Sequence, residues 1–239
     1  MLRRWTIILL LVLHPSWIAA QDFWVKKNFD QWSLKECLRL LQDSPWTRSM
    51  TFTRVYIQSS AQAAAVPGRE ETPQITYAAQ IWSATPIRQA AVQKARLSKQ
   101  YKNLDAPQRQ ETESNATSLL KDTFSDRIEI RVEYSTTAPA YEQSLAAYWQ
   151  NRPSALWPQD TFLITSTGKH PPIQVRNVGL TGYFALVFPR TVDGRPLISA
   201  TDKGLSLDFY SPAIGVFPSE HVLLEFKLKD MTIQGIPVF

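Results

Sequence analysis

Apolar positions along the chain change their spacing several times. Between residues 34 and 42, Leu34, Cys37, Leu38 and Leu41 recur at intervals of three and four, the repeat of one helix face. Ser33-Leu34-Lys35-Glu36 opens that run as a capping box, in which a hydroxyl and a carboxylate each satisfy a backbone N–H that the helix leaves unpaired. Pro45 ends it, because proline neither donates to the helical ladder nor tolerates a helical residue before it. Phe23, Trp24, Phe29, Trp32 and Trp46 flank the helix, which predicts docking onto a larger body through buried rings. A β-branched and aromatic run at about 50–58 predicts a strand. Residues 59–74, rich in Ala, Gln and Pro, have no period and read as an exposed loop. A second strand is expected at 75–83, ending in Trp82. Thr85-Pro86 then supplies a cap and a first-turn proline for a helix to about Lys99. The polar stretch 101–118 reads as another loop.

Strict alternation follows at 126–134, where Arg127, Glu129, Arg131 and Glu133 interleave with Ile128, Ile130, Val132 and Tyr134; this predicts a strand with one charged and one buried face. Tyr141, Leu145, Tyr148 and Trp149 mark a helix at about 140–150. Short strands are then expected at 161–166, 173–178, 183–189, 196–199, 205–210 and 222–229, with Asp193-Gly194 as a hairpin turn. Seven of the eight glycines lie at or after Gly168, where such turns concentrate. The fold class expected is α+β, with helices mainly in the N-terminal half and an antiparallel sheet or sandwich in the C-terminal half. Residues 21–158 and 159–239 are read as two regions, with a single domain spanning both left open.

The first 20 residues change the charge balance. Arg3 and Arg4, the apolar run 7–13 and Ile18-Ala19-Ala20 form the pattern of a secretory signal peptide cleaved near Ala20. The apolar run is too short for a membrane span, which needs about 20 residues. Removing residues 1–20 takes away Arg3, Arg4 and His14, which lowers the net charge from +5 to +3 and leaves His170 and His221 as the histidines. The expected location is therefore periplasmic or secreted, and nucleic-acid binding loses its electrostatic basis. One cysteine in 239 residues rules out an internal disulfide.

Candidate chemistry is sparse. Cys37, on the apolar face of the capped helix, reads as a small buried hydrophobe. His221 and the adjacent Glu220 point to opposite faces of an extended chain and do not chelate together. No catalytic residue, cofactor site or metal site is assigned, and no cofactor is expected. Glu129 and Glu133 share a strand face, but each alternates with Arg, which favours a solvated salt-bridge face over a hydrolytic pair. The stretch 73–104 has no acidic residue, and it carries Arg88, Lys94, Arg96, Lys99 and Lys102 as candidate contacts for an anionic partner. Asn115-Ala116-Thr117 is a glycosylation sequon on the expected polar loop. Trp32, Ser33, Glu36, Pro45, Trp46, Trp82 and Pro86 read as determinants of the fold.

Three blocks carry a resemblance. Trp32-Ser33-Leu34-Lys35-Glu36-Cys37 with Asp43-Ser44-Pro45-Trp46, the run from Ile81 to Ala90, and Phe226-Lys227-Leu228-Lys229-Asp230-Met231 together resemble a family of small exported acidobacterial proteins. The resemblance implies export and carries no activity, cofactor or site residue. The function expected is an exported envelope protein, a non-enzymatic structural or partner-binding module whose partner is an envelope protein or an acidic envelope polymer. The alternative is an envelope hydrolase with two facing carboxylates, acting on a glycan.

Overall fold

The computed structural model describes residues 23–54, 72–177, 182–199 and 201–239. The expected export segment 1–20, the end of the 50–58 strand and most of the 59–74 loop lie outside the described residues. In chain order the helices and strands are α1 (Phe23–Lys26), α2 (Leu34–Gln42), β1 (Thr47–Thr53), β2 (Gln74–Ile81), α3 (Thr85–Leu97), α4 (Lys99–Lys102), α5 (Ala106–Lys121), β3 (Arg127–Thr136), α6 (Pro139–Asn151) and α7 (Trp157–Asp160). There follow β4 (Phe162–Thr165), β5 (Gly168–His170), β6 (Gln174–Asn177), β7 (Tyr183–Pro189), β8 (Thr191–Val192), β9 (Arg195–Pro196), β10 (Gly204–Ser211) and β11 (Glu220–Lys227). The architecture is α+β.

Two antiparallel sheets form the body. One has the order β1-β2-β3-β7-β6 and the other β11-β10-β4-β5. Because β3 pairs with β7 in the register Ile130↔Leu186, the first sheet takes strands from both sides of residue 158. Its inner face, with Ile75, Tyr77, Ile81, Ile130, Val132 and Phe184, meets Leu205, Leu207, Phe209, Val222 and Leu224 of the second sheet in one apolar cluster. Tyr77 crosses between them, with its ring 5.4 Å from Phe209 and its Oη 2.8 Å from Ser211 Oγ. Burial pushes the Tyr77 phenol up to about 12. α6 inserts Leu145 and Trp149 between the sheets, and Trp149 touches Tyr77, Phe184, Phe209 and Trp157.

Helices α2 and α3 lie on the other face of the five-stranded sheet. Ser33 and Glu36 form the capping box of α2, with Ser33 N–H donating to Glu36 at 2.8 Å. The buried face of α2 is Cys37, Leu40 and Leu41, whereas Leu34 is exposed. The helix therefore sits rotated from the expected stripe, because Leu40 turns toward the sheet at the point where the chain leaves for β1. Trp32, Trp46 and Trp82 are buried around it, and Trp46 Nε1 donates to Val238 O at 2.5 Å. Pro45 stands beyond the helix end, between Gln42 and β1. Pro86 occupies the first turn of α3, but Ala84, not Thr85, is the N-cap. Thr85 Oγ1 accepts from Arg88 instead.

The expected loop at 101–118 is corrected: residues 106–121 form the helix α5, so the Asn115 sequon sits on a helix. Asp105 and Gln108 make its capping box. α5 buries no residue, so its sequence has no apolar stripe from which its period could be read. The Asp193-Gly194 turn joins β8 to β9 with both residues at positive φ, 50° and 73°, as a type I′ turn requires.

Candidate functional site

The register of the five-stranded sheet sets the chemistry of its outer face. Gln80 on β2 lies opposite Arg131 on β3, and Ala78 opposite Glu133, which in turn faces Tyr183 on β7. α2 and α3 cover only part of this face. Between helices and sheet is a cleft of about 390 Å³, walled by Leu38, Leu41, Ala91 and Ala95 and lined with polar Gln42, Gln80, Lys94, Ser98, Gln100, Arg131, Glu133 and Tyr183, with Trp82 in its floor.

Arg131 is the organising group. Its guanidinium carbon lies 3.3 Å from the centroid of the Trp82 ring and 5.3 Å from that of Tyr183. Nε donates to Glu129 at 3.2 Å. The two terminal NH2 groups have no hydrogen-bond partner among the described residues, and Arg131 lines the cleft. Burial pulls its pKa below the usual arginine range, opposed by the Glu129 charge. The guanidinium is thus fixed on one edge and open to the cleft on the other. The buried Trp82 Nε1 also lacks a partner, so packing against Arg131, not a hydrogen bond, orients the ring. Gln80 is fixed as well, through Nε2 to Leu41 O at 2.9 Å.

No protein-family model matches the chain, and no curated protein or solved structure is significantly similar to it.

Of the five cations expected to face an anionic partner, the structure brings only Lys94 to the cleft. Lys94 is exposed and makes no ion pair with the described residues. Arg88 is a correction: it is 2% exposed and donates to Leu119 O and Asp122 O, both at 2.7 Å, and to Ser83 O and Thr85 Oγ1. Its ring partner is Phe124, 4.7 Å away. A guanidinium spent on the carbonyls at the end of α5 cannot reach solvent. Arg96 is likewise engaged, in a forked ion pair with Glu113, which also accepts from Tyr101 Oη at 2.7 Å. Lys99 and Lys102 are exposed on α4, outside the cleft lining.

The charged face of β3 also differs from expectation. Glu129 is 3% exposed, not solvated, because Arg131 and Arg176 both cover its carboxylate, at 3.2 and 3.4 Å. Four residues along a strand separate it from Glu133, a span of about 13 Å, which is too far for a hydrolytic carboxylate pair. The carboxyls with a displaced titration, Glu36, Glu113 and Asp122, are all held low, chiefly through hydrogen bonds from Lys27 to Glu36, Arg96 to Glu113, and Phe124 N–H and Arg127 to Asp122.

A second cluster went unseen in the sequence. On the outer face of the four-stranded sheet, buried Asp208 accepts from His221 Nε2 at 2.6 Å and pairs with Lys169 at 3.3 Å. Tyr210, the cross-strand partner of His221, packs on its ring at 5.1 Å. Both carboxylate oxygens of Asp208 are thus occupied from within. His170 is elsewhere, paired with Thr167 Oγ1 at 2.9 Å. Cys37 is fully buried and its thiol is pushed up to about 11 by desolvation, which makes it a poor nucleophile. Among the described residues, no three His, Cys, Asp or Glu side chains gather in a metal-binding arrangement, and no helix is long and apolar enough to cross a membrane.

Proposed function

We propose that this is an exported envelope protein that binds an acidic partner in the cleft between α2, α3 and the five-stranded sheet, as a binding module and not a catalyst. The observation that carries this reading is that one concavity holds two cations: the exposed Lys94 ammonium, which makes no ion pair with the described residues, and the outward edge of the Arg131 guanidinium, which Glu129 holds at Nε alone. The reading draws further support from Trp82 and Glu129, which hold Arg131 in place before any partner arrives, so less entropy is lost when an anion docks. An arginine fork matches carboxylate geometry, and partial exclusion of water strengthens the attraction.

Export rests on the signal-like pattern of residues 1–20 and on the sequence resemblance; the acidic nature of the partner rests on the cleft. The test is calorimetric titration of the protein with acidic polymer extracted from the envelope of the producing cell, before and after methyl-esterification of its carboxyls. Binding that disappears on esterification and in Lys94→Glu is expected. Binding that survives both would overturn the proposal.

A further inference from the structure

The cleft does not end at Tyr183. A second hollow of about 220 Å³, lined by Thr76, Ala78, Glu133, Tyr134, Ser135 and Gly182, shares Glu133 with it. Together they run along β3 from Arg131 to Ser135, about 13 Å at the rise of a strand. The two hollows, side by side at Glu133, together span more than a single small anion requires.

Resting on the acidic-partner reading above, we infer that the groove seats an acidic saccharide chain in which charged and neutral sugars alternate. Three observations select a saccharide over an acidic peptide. The floor is made by β2 and β3, which are paired on both sides, so no free backbone edge is offered to an extended peptide. The polar lining is amide and hydroxyl, with Gln42, Ser98, Gln100, Thr76 and Ser135, groups that both donate and accept as sugar hydroxyls do. Tyr183, half-buried in the lining of the first hollow, offers an aromatic ring beside the fixed guanidinium.

Alternation follows from charge. Lys94 and Arg131 lie in the first hollow and attract a sugar carboxylate there. Glu133, exposed where the hollows meet, repels a second carboxylate at close range and accepts hydroxyls from a neutral sugar.

The test titrates the protein with three hexamers: a hexasaccharide alternating uronate with N-acetylhexosamine, neutral chitohexaose, and hexaglutamate. The alternating chain is expected to bind at least about tenfold more tightly than either other probe, with the advantage lost in Lys94→Glu. With hexagalacturonate as a fourth probe, Glu133→Gln is expected to raise affinity for that uniformly charged chain by about tenfold through removal of the repulsion. Both variants alter exposed side chains, and unchanged thermal melting verifies that each is folded. If hexaglutamate binds as tightly as the alternating chain, the saccharide inference falls while the acidic-partner reading stands. Equal binding of chitohexaose overturns the role given to charge. If neither acidic hexamer binds, both readings fall, and an unchanged hexagalacturonate affinity in Glu133→Gln overturns the alternation.

Discussion

The guanidinium of Arg131 lies over the indole of Trp82, 3.3 Å from guanidinium carbon to ring centroid, and a buried carboxylate, Glu129, holds its Nε. Removing either member releases the other. A double-mutant cycle of Arg131→Lys and Trp82→Leu, followed by urea unfolding, should give a coupling energy of about 1 kcal/mol, because a lysine ammonium does not stack and a leucine has no π face. Additive single effects would contradict the geometry.

Arg88 and Lys102 belong to the same basic stretch but should respond oppositely to substitution. Arg88→Ala leaves the carbonyls of Leu119 and Asp122 without their buried donor and strips Phe124 of one cation. A loss of about 2–4 kcal/mol is expected. Lys102→Ala on the exposed surface should stay within about 0.5 kcal/mol of the parent. Chemical denaturation of the two variants side by side measures the contrast.

Glu36 makes part of the stability depend on acid. Hydrogen bonds from Lys27 and from the Ser33 backbone hold its carboxyl at about 2 in the folded protein, against an ordinary 4.5. Its folded-state pKa is depressed, so the unfolded chain binds the proton more readily. The stabilisation is complete above about pH 4.5 and is lost as pH falls toward 2. Unfolding free energies measured across this window should fall less steeply for Glu36→Gln than for the parent. Ser33→Ala should cost about 1 kcal/mol at neutral pH through loss of the cap.

α5 buries no side chain; its first half is tied to α3 by the Arg96–Glu113 pair and to α4 by Tyr101 donating to Glu113, and its end is held by Arg88 donating to Leu119 O. Glu113→Ala should therefore raise amide hydrogen exchange in the first turns of α5, up to about residue 114, while global stability falls by no more than about 1 kcal/mol, since the pair is partly exposed. Exchange that stays slow in these turns would show that other contacts hold them.

Phe184 stands at the centre of the aromatic cluster, 4.6 Å from Trp149, 5.0 Å from Trp157 and 5.9 Å from Phe209. Phe184→Ala should cost about 3–5 kcal/mol in thermal or urea unfolding, as the rings around the cavity cannot all collapse into it.

Local signals fixed the parts of this protein that local physics governs. Ser33 and Glu36 are three residues apart, and their capping box forms wherever the helix goes. The alternation from Ile128 to Tyr134 and the Asp193-Gly194 turn are also short-range, and both were readable from the residues alone. α5 escaped because its capping signal, Asp105 with Gln108, came without an apolar stripe. Glu129 reads as solvated because its same-face neighbours Arg127 and Arg131 are charged, and Arg88 reads as a partner contact because it belongs to a stretch without acidic residues. Only the packing of Arg176 over one, and of the end of α5 over the other, buries them. The cleft was decided entirely by tertiary structure. Trp82 and Arg131 meet because β2 and β3 pair in the register Gln80↔Arg131, and Lys94 joins them because α3 crosses that face. The sequence alone determined the α2 capping box, the β3 alternation and the Asp193-Gly194 turn, since each depends on residues within a few positions of each other. Which cations face solvent, which face a partner and which are spent inside the fold depends on contacts between distant segments, and only the folded chain supplies those.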